Sequence, residues 1–258
     1  MQHKFLERND LPFGFSTNDT ILKSEEYCPI TLFVGTYNPN WDWNPADFFY
    51  GRGMYMWPIL ANLFLYNENI LFHPRNGNNN QPTLQQIYEI CKKGKISFAD
   101  IIKGVKNDIP INVNNQQRTV QVNNEFVWQS YKDGELDFMG NQNWLDDNIN
   151  AIADYIINTP SIKHVYFTFK SGSWIVEKKR ELTNTVNQNR NDVTFENIFS
   201  PSGNGFGHLM PQYNQRCWSI THCWIWNGLN HNTPINRIGY GHLDHSWLRS
   251  CGVEPTNF

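Results

Sequence analysis

The apolar positions of the chain fall into short blocks separated by polar loops, and the blocks alternate between strand-like and helix-like spacing. Ile30-Thr31-Leu32-Phe33-Val34 is an apolar run that stops at Gly35, with Asn38-Pro39 in the loop beyond it. A run this short, bounded by turn residues, predicts a buried strand. Met54 to Tyr66 places Trp57, Leu60 and Phe64 at i, i+3 and i+7, a helix face, with Pro58 suited to the first turn. Thr83 to Lys93 predicts a second helix with Thr83 as its N-cap. Ile96 to Ile102 predicts a second strand. Leu145 to Asn158 predicts an amphipathic helix that buries Ile149, Ile152, Ala153 and Ile156. His164 to Phe169 predicts a third strand, Trp174 to Asn187 a helix, and Phe195 to Phe199 a fourth strand that runs into Ser200-Pro201-Ser202-Gly203-Asn204.

Strands alternating with helices are the pattern of a parallel sheet with crossover connections. The expectation is a single α/β domain over residues 1–258, with a central, mainly parallel four-stranded sheet flanked by helices. Residues 107–143 are polar and rich in Asn and Gln, and read as an insertion. Residues 206–258 carry Trp218, Trp224, Trp226 and Trp247 without strand-helix alternation, and read as a Trp- and His-rich extension packed on the domain.

Composition narrows the function classes. With 40% hydrophobic and 15% aromatic residues the chain is globular rather than disordered. Its ten Trp fill a core or supply stacking platforms for bases. A net charge of −3 argues against a protein that coats nucleic acid through charge alone, and leaves room for an enzyme that grips a few phosphates. The five Cys are odd in number, scattered and without a C-x-x-C pair, which reads as a reduced, intracellular setting. Met1 to Asp10 lacks the apolar stretch of a signal peptide. No apolar run approaches the ~20 residues of a membrane span, so no membrane partner is expected.

Three segments carry the candidate chemistry, the first and the last of them at strand ends. They are Gly35-Thr36-Tyr37-Asn38-Pro39, then Phe49-Tyr50-Gly51-Arg52-Gly53-Met54-Tyr55-Met56-Trp57-Pro58, and late in the chain Ser200-Pro201-Ser202-Gly203-Asn204. In order and spacing these segments resemble the motifs of the uracil-DNA glycosylase superfamily. The nearest motif style is that of the mismatch-specific uracil/thymine DNA glycosylases, and the resemblance covers residues 31 to about 204. Ile96 to Ile102 also resembles the family's middle segment, a hydrophobic strand carrying an Asp, here Asp100.

The resemblance implies a monofunctional DNA glycosylase that flips a damaged or modified base and hydrolyses its N-glycosidic bond, leaving an abasic site. Such a site needs a group to place water, a wall that stacks the base, donors for the leaving base and a wedge for the hole in the duplex. Asn38 is the expected water-positioning residue, because a neutral amide orients a water without accepting its proton. Asp42 is a second catalytic candidate, as a general base in the first loop. Tyr37, Tyr55, Met56 and Ser200 are the expected base-binding residues. Arg52, Ser202, Gly203, Asn204 and His208 are the expected DNA contacts. No cofactor, no metal and no obligate protein partner is expected; the partner is DNA carrying a damaged or modified base.

The departures from the family pattern bear on the substrate. The first motif has one residue more between Gly35 and Asn38 than the Gly-x-Asn-Pro form. Ser200 stands where members with a His-Pro-Ser motif carry a leaving-group histidine, and Met54 replaces an Asn. With Gly51, Gly53 and Gly203 thinning the walls, the expected substrate is hypoxanthine or a bulky modified pyrimidine of the kind found in phage DNA, rather than plain uracil.

Blander readings stand beside these. Asn38-Pro39 and Ser200 to Gly203 also read as turns. Tyr50, Tyr55 and Trp57 also read as core aromatics, with Trp57 expected in the core, and Asp100 as a helix cap. Two other classes remain. One is a metal-dependent hydrolase using His208, His222, His231, His242 and His245, although their spacing matches no standard zinc site. The other is a module that binds modified DNA without cutting it.

Overall fold

The computed structural model describes residues 1–40, 44–51, 56–61, 64–65, 82–106, 111–113, 115–122, 124–128, 133–169, 172–198 and 201. Its elements in chain order begin with strands β1 (Phe15–Asn18), β2 (Ile21–Ser24) and β3 (Thr31–Gly35). Helices α1 (Met56–Ala61) and α2 (Leu84–Gly94) follow, then β4 (Ile96–Asp100) and β5 (Ile102–Val105). Two small hairpins come next, β6 (Asn112–Val113) with β7 (Gln116–Gln117) and β8 (Thr119–Val122) with β9 (Glu125–Trp128). The chain continues through α3 (Leu136–Asn141), β10 (Leu145–Asp147), α4 (Ile149–Asn158), β11 (His164–Phe167), α5 (Ser173–Asn189) and β12 (Thr194–Asn197).

The main sheet has the strand order β1-β2-β4-β3-β11-β12. β4, β3, β11 and β12 run parallel, and β2 and β1 extend the β4 side antiparallel. The sheet is therefore mixed, and six-stranded rather than the four-stranded one expected. The four expected strands are its parallel part. The two extra strands form a hairpin in which Asp19 and Thr20, both at positive φ (49° and 61°), make the two-residue turn. Such turns follow strand twist and usually announce themselves as Asn-Gly or Asp-Gly. Here a β-branched Thr occupies the second position, and its strain is offset by contacts of its hydroxyl.

Strand parity divides the core. Phe33, Phe98 and Tyr166 face an aromatic cluster that also holds Phe48, Phe49 and Trp57, and α1 and α2 cover that face. Leu32, Val34, Ala99 and Val165 face an aliphatic cluster, covered by Ile149, Ile152, Ala153 and Ile156 of α4 and by Leu182 and Val186 of α5. Trp57 is fully buried, and its indole N–H donates to the Phe49 carbonyl at 2.7 Å, so it is core as expected. The α2 cap is the one expected as well. Thr83 Oγ1 accepts from the Gln86 N–H, and the Gln86 side chain accepts from the Thr83 N–H, a capping box.

One helix starts later than its periodicity predicts. Leu145–Asp147 pairs antiparallel with β5 before α4 begins at Ile149, and the Asp147 carboxylate accepts the Ile149 N–H at 3.2 Å. Within the expected insertion, the buried Arg118–Glu135 ion pair ties the hairpins to the short 3-10 turn before α3.

Candidate functional site

From β3 the chain crosses one face of the sheet, by α1 and α2, to β4. From β11 it crosses the opposite face, by α5, to β12. β3 and β11 are neighbours, so their carboxyl ends send the chain to opposite faces of the sheet, a topological switch point. Open α/β sheets bind ligands at such a switch point. The candidate site lies there.

Its geometry starts at Gly35, the last residue of β3, which is paired in register with Asp100, the last residue of β4. A Cβ on Gly35 would collide with Asp100 Oδ1 and come within 2.7 Å of the Tyr50 hydroxyl. Only glycine lets the strand end, the carboxylate and the phenol meet. The Asp100 backbone is held too. Thr20 Oγ1 donates to the Asp100 carbonyl at 2.7 Å, and Asn148 Nδ2 donates to Thr20 Oγ1 at 2.8 Å.

The Asp100 carboxylate is 3% exposed and accepts two hydrogen bonds, both on Oδ2: one from His3 Nε2 at 2.7 Å and one from Asn38 Nδ2 at 3.1 Å. The Phe5 N–H donates to His3 Nδ1 at 2.9 Å, which puts the ring proton on Nε2 and makes His3 the donor to Asp100. Asp100 Oδ1 accepts nothing from the described residues, nor does Asn38 Oδ1. Two acceptor oxygens are thus left uncommitted on two anchored side chains.

Tyr50 closes the β11 side. Thr168 Oγ1 donates to the Val34 carbonyl at 3.3 Å, so Tyr50 is the donor in the 2.8 Å hydroxyl pair with Thr168. Tyr50 and Gly51 both have positive φ (62° and 57°). A bulky residue held there costs about 1–3 kcal/mol, and strain of this kind gathers at functional sites. Burial first, and the charge of Asp100 second, push the Tyr50 phenol far above its ordinary range, so it remains a neutral hydroxyl.

The remaining expected site residues fall into two groups. Tyr37 does not stand open to a base. It is buried, packs beside His3 with ring centroids 5.9 Å apart, and donates its hydroxyl to the Met1 carbonyl at 3.1 Å. Met56 opens α1 with no exposed surface and belongs to the aromatic core, because every residue of that short helix is buried. Neither is presented as a base-stacking wall. Asp42, Arg52, Tyr55, Ser200, Ser202, Gly203, Asn204 and His208 lie outside the described residues, as do His222, His231, His242 and His245. Among the described residues no group of three His, Cys, Asp or Glu is placed to hold a metal, and no helix is long and apolar enough to cross a membrane.

Asp100 is no helix cap; it ends a strand and carries the carboxylate at the centre of the cluster. His3 and Thr168 carry no local motif, and only the tertiary fold brings them to the site. Compared with family models, with curated proteins and with solved structures, the chain matches none.

Proposed function

We propose that the chain is a monofunctional DNA glycosylase that hydrolyses the N-glycosidic bond of a flipped base and leaves an abasic site. The observation that carries this reading is the Asn38–Asp100 pair at the carboxyl ends of β3 and β4, with one oxygen on each side chain uncommitted. Loss of a base builds positive charge on the sugar, and a fixed carboxylate beside it lowers the energy of that state. A water held between Asn38 Oδ1 and Asp100 Oδ1 would be aimed by the amide and relieved of its proton by the carboxylate. The neutral Tyr50 hydroxyl adds a polar wall without a competing charge.

The same geometry favours hydrolysis without strand cleavage. A lyase needs an amine in the site, and among the described residues Lys4, next to His3, and Lys103, on β5, each have a partner elsewhere. Lys4 Nζ donates to the Asn44 carbonyl at 2.6 Å, and Lys103 Nζ lies 3.7 Å from Asp19 Oδ1. The substrate proposed is DNA carrying hypoxanthine or a bulky modified pyrimidine, on the strength of the Gly-rich motifs and of Ser200 in place of a histidine.

Abasic-site formation on duplexes carrying uracil, hypoxanthine or a bulky 5-substituted pyrimidine tests this. The wild type is expected to release a larger base faster than uracil, and Asn38→Ala to slow that release about a hundredfold. Tight binding to a modified duplex with no abasic product would point to a binding module instead. An Asn38→Ala rate equal to wild type would remove Asn38 from the mechanism.

A further inference from the structure

The amino-terminal segment reaches the centre of the site. The His3 N–H donates to the Lys103 carbonyl at 2.7 Å on the β5 side. The Lys4 N–H donates to the Asn38 carbonyl at 2.8 Å, and the Asn40 N–H to the Gln2 carbonyl at 3.1 Å, on the side of the loop after β3. The segment is thereby fixed between β5, which follows closely on Asp100, and the loop that carries Asn38. Its backbone bonds set the position of His3 independently of anything the imidazole does.

The imidazole is fully buried, with the rings of Phe5, Tyr37 and Phe49 at 5.9, 5.9 and 6.1 Å. An apolar side chain would suit such a cage better, since a buried polar ring is stabilising only when its nitrogens are satisfied. Both are. Nδ1 accepts from the Phe5 N–H, and Nε2 donates to Asp100 Oδ2. A ring committed at both nitrogens has no free position from which to touch a substrate or take up its proton.

We propose that His3 is a positioning residue of the site, holding Asp100 by Oδ2 so that Oδ1 stays uncommitted beside Gly35 and the Tyr50 hydroxyl. This rests on the glycosylase reading for its catalytic consequence, though not for its geometry. With Asn38 alone on Oδ2, the carboxylate would be free to turn about its last torsion and exchange the oxygen it offers to Asn38. His3 removes that freedom. The reacting arrangement is then prepared before DNA arrives, which is the kind of preorganisation that raises turnover rather than affinity.

The test compares wild type, His3→Phe and His3→Gln in the full chain. Phe fills the aromatic cage without a donor, and Gln restores an N–H at the Nε2 position. The expected result is a fall of at least about tenfold in kcat for His3→Phe, with KM for the modified duplex within about twofold, and recovery of most of that loss in His3→Gln. Equal kcat in His3→Phe, or a change confined to KM, would overturn the proposal. A second readout needs no substrate and no variant. The ring 15N shifts of His3 in the free protein are expected to show Nε2 protonated and Nδ1 bare. A ring protonated at Nδ1, or one averaging between tautomers, would overturn the proposal even if His3→Phe failed to fold. If the wild type released no base from any duplex, the glycosylase reading would fall, and the ring spectrum would still decide whether His3 holds Asp100.

Discussion

Two aspartates, Asp137 and Asp100, show how differently one side chain is used in this fold. Asp137, on α3, caps the amino end of α5. Its Oδ1 accepts the N–H groups of Trp174 and Ile175 at 2.7 and 3.1 Å, and its Oδ2 accepts the N–H and hydroxyl of Ser173 at 2.9 and 3.1 Å. Gly172 has φ of 114° and leaves no room for a Cβ beside that carboxylate, so the cap is also sterically matched. Both oxygens are spent, and the positive end of the helix is already neutralised. Asp100 accepts on Oδ2 alone, from two side chains delivered by distant segments, and keeps Oδ1 uncommitted. The cap is a closed account of hydrogen bonds. The site is an open one, held in place by more structure than its own bonds require.

That difference predicts opposite consequences. Asp100→Asn keeps the shape of the site and removes the charge. It is expected to slow base release by roughly 10²-fold or more while leaving the fold intact. Asp137→Ala is expected to do the reverse. Loss of the cap costs roughly 1–2 kcal/mol, a fall of about 2–8 °C in the thermal midpoint for a chain of this size. Base release well below the midpoint should be unchanged. Thermal melts beside excision rates separate the two, and any exchange of roles would break the comparison.

The smallest effect expected lies at the other end of the sheet. Burial, chiefly, holds His164 below its ordinary value of 6.5, with the Lys163 charge adding to burial and Glu196 opposing both. The folded state therefore takes up its proton less readily than the unfolded chain. The His164 contribution is fully present above 6.5 and is lost as the pH falls through the lower folded value. His164→Gln should flatten the dependence of the denaturant midpoint on pH in that acid window. It should leave base release alone, because His164 begins β11 whereas the site lies at the carboxyl ends.

Much of this scaffold was legible in the sequence. The β3 run ending at Gly35, the Thr83 cap of α2, and the apolar stripe of α4 all depend on residues within a turn or a strand length of one another. What was hidden depends on partners far along the chain. β10 is recruited as a strand by pairing with β5, against its helical periodicity. Asp100 looks like a cap until Gly35 is set opposite it. Tyr37 is buried with its hydroxyl on the Met1 carbonyl, and His3 meets Asp100 across 97 positions of sequence. The Asn38 segment is legible from its motif, whereas Asp100 reads in sequence as part of a resemblance or as a helix cap, and only the tertiary fold brings the two together.

The open oxygen of Asp100 is the centre of the proposed site. Its most direct test is single-turnover release of a modified base from duplex DNA by wild type and Asp100→Asn, with folding of both verified by thermal melts. Release by the wild type and a loss of roughly 10²-fold or more in a folded Asp100→Asn is the result predicted. Equal release by the two proteins, or none by the wild type from any modified duplex, would contradict it.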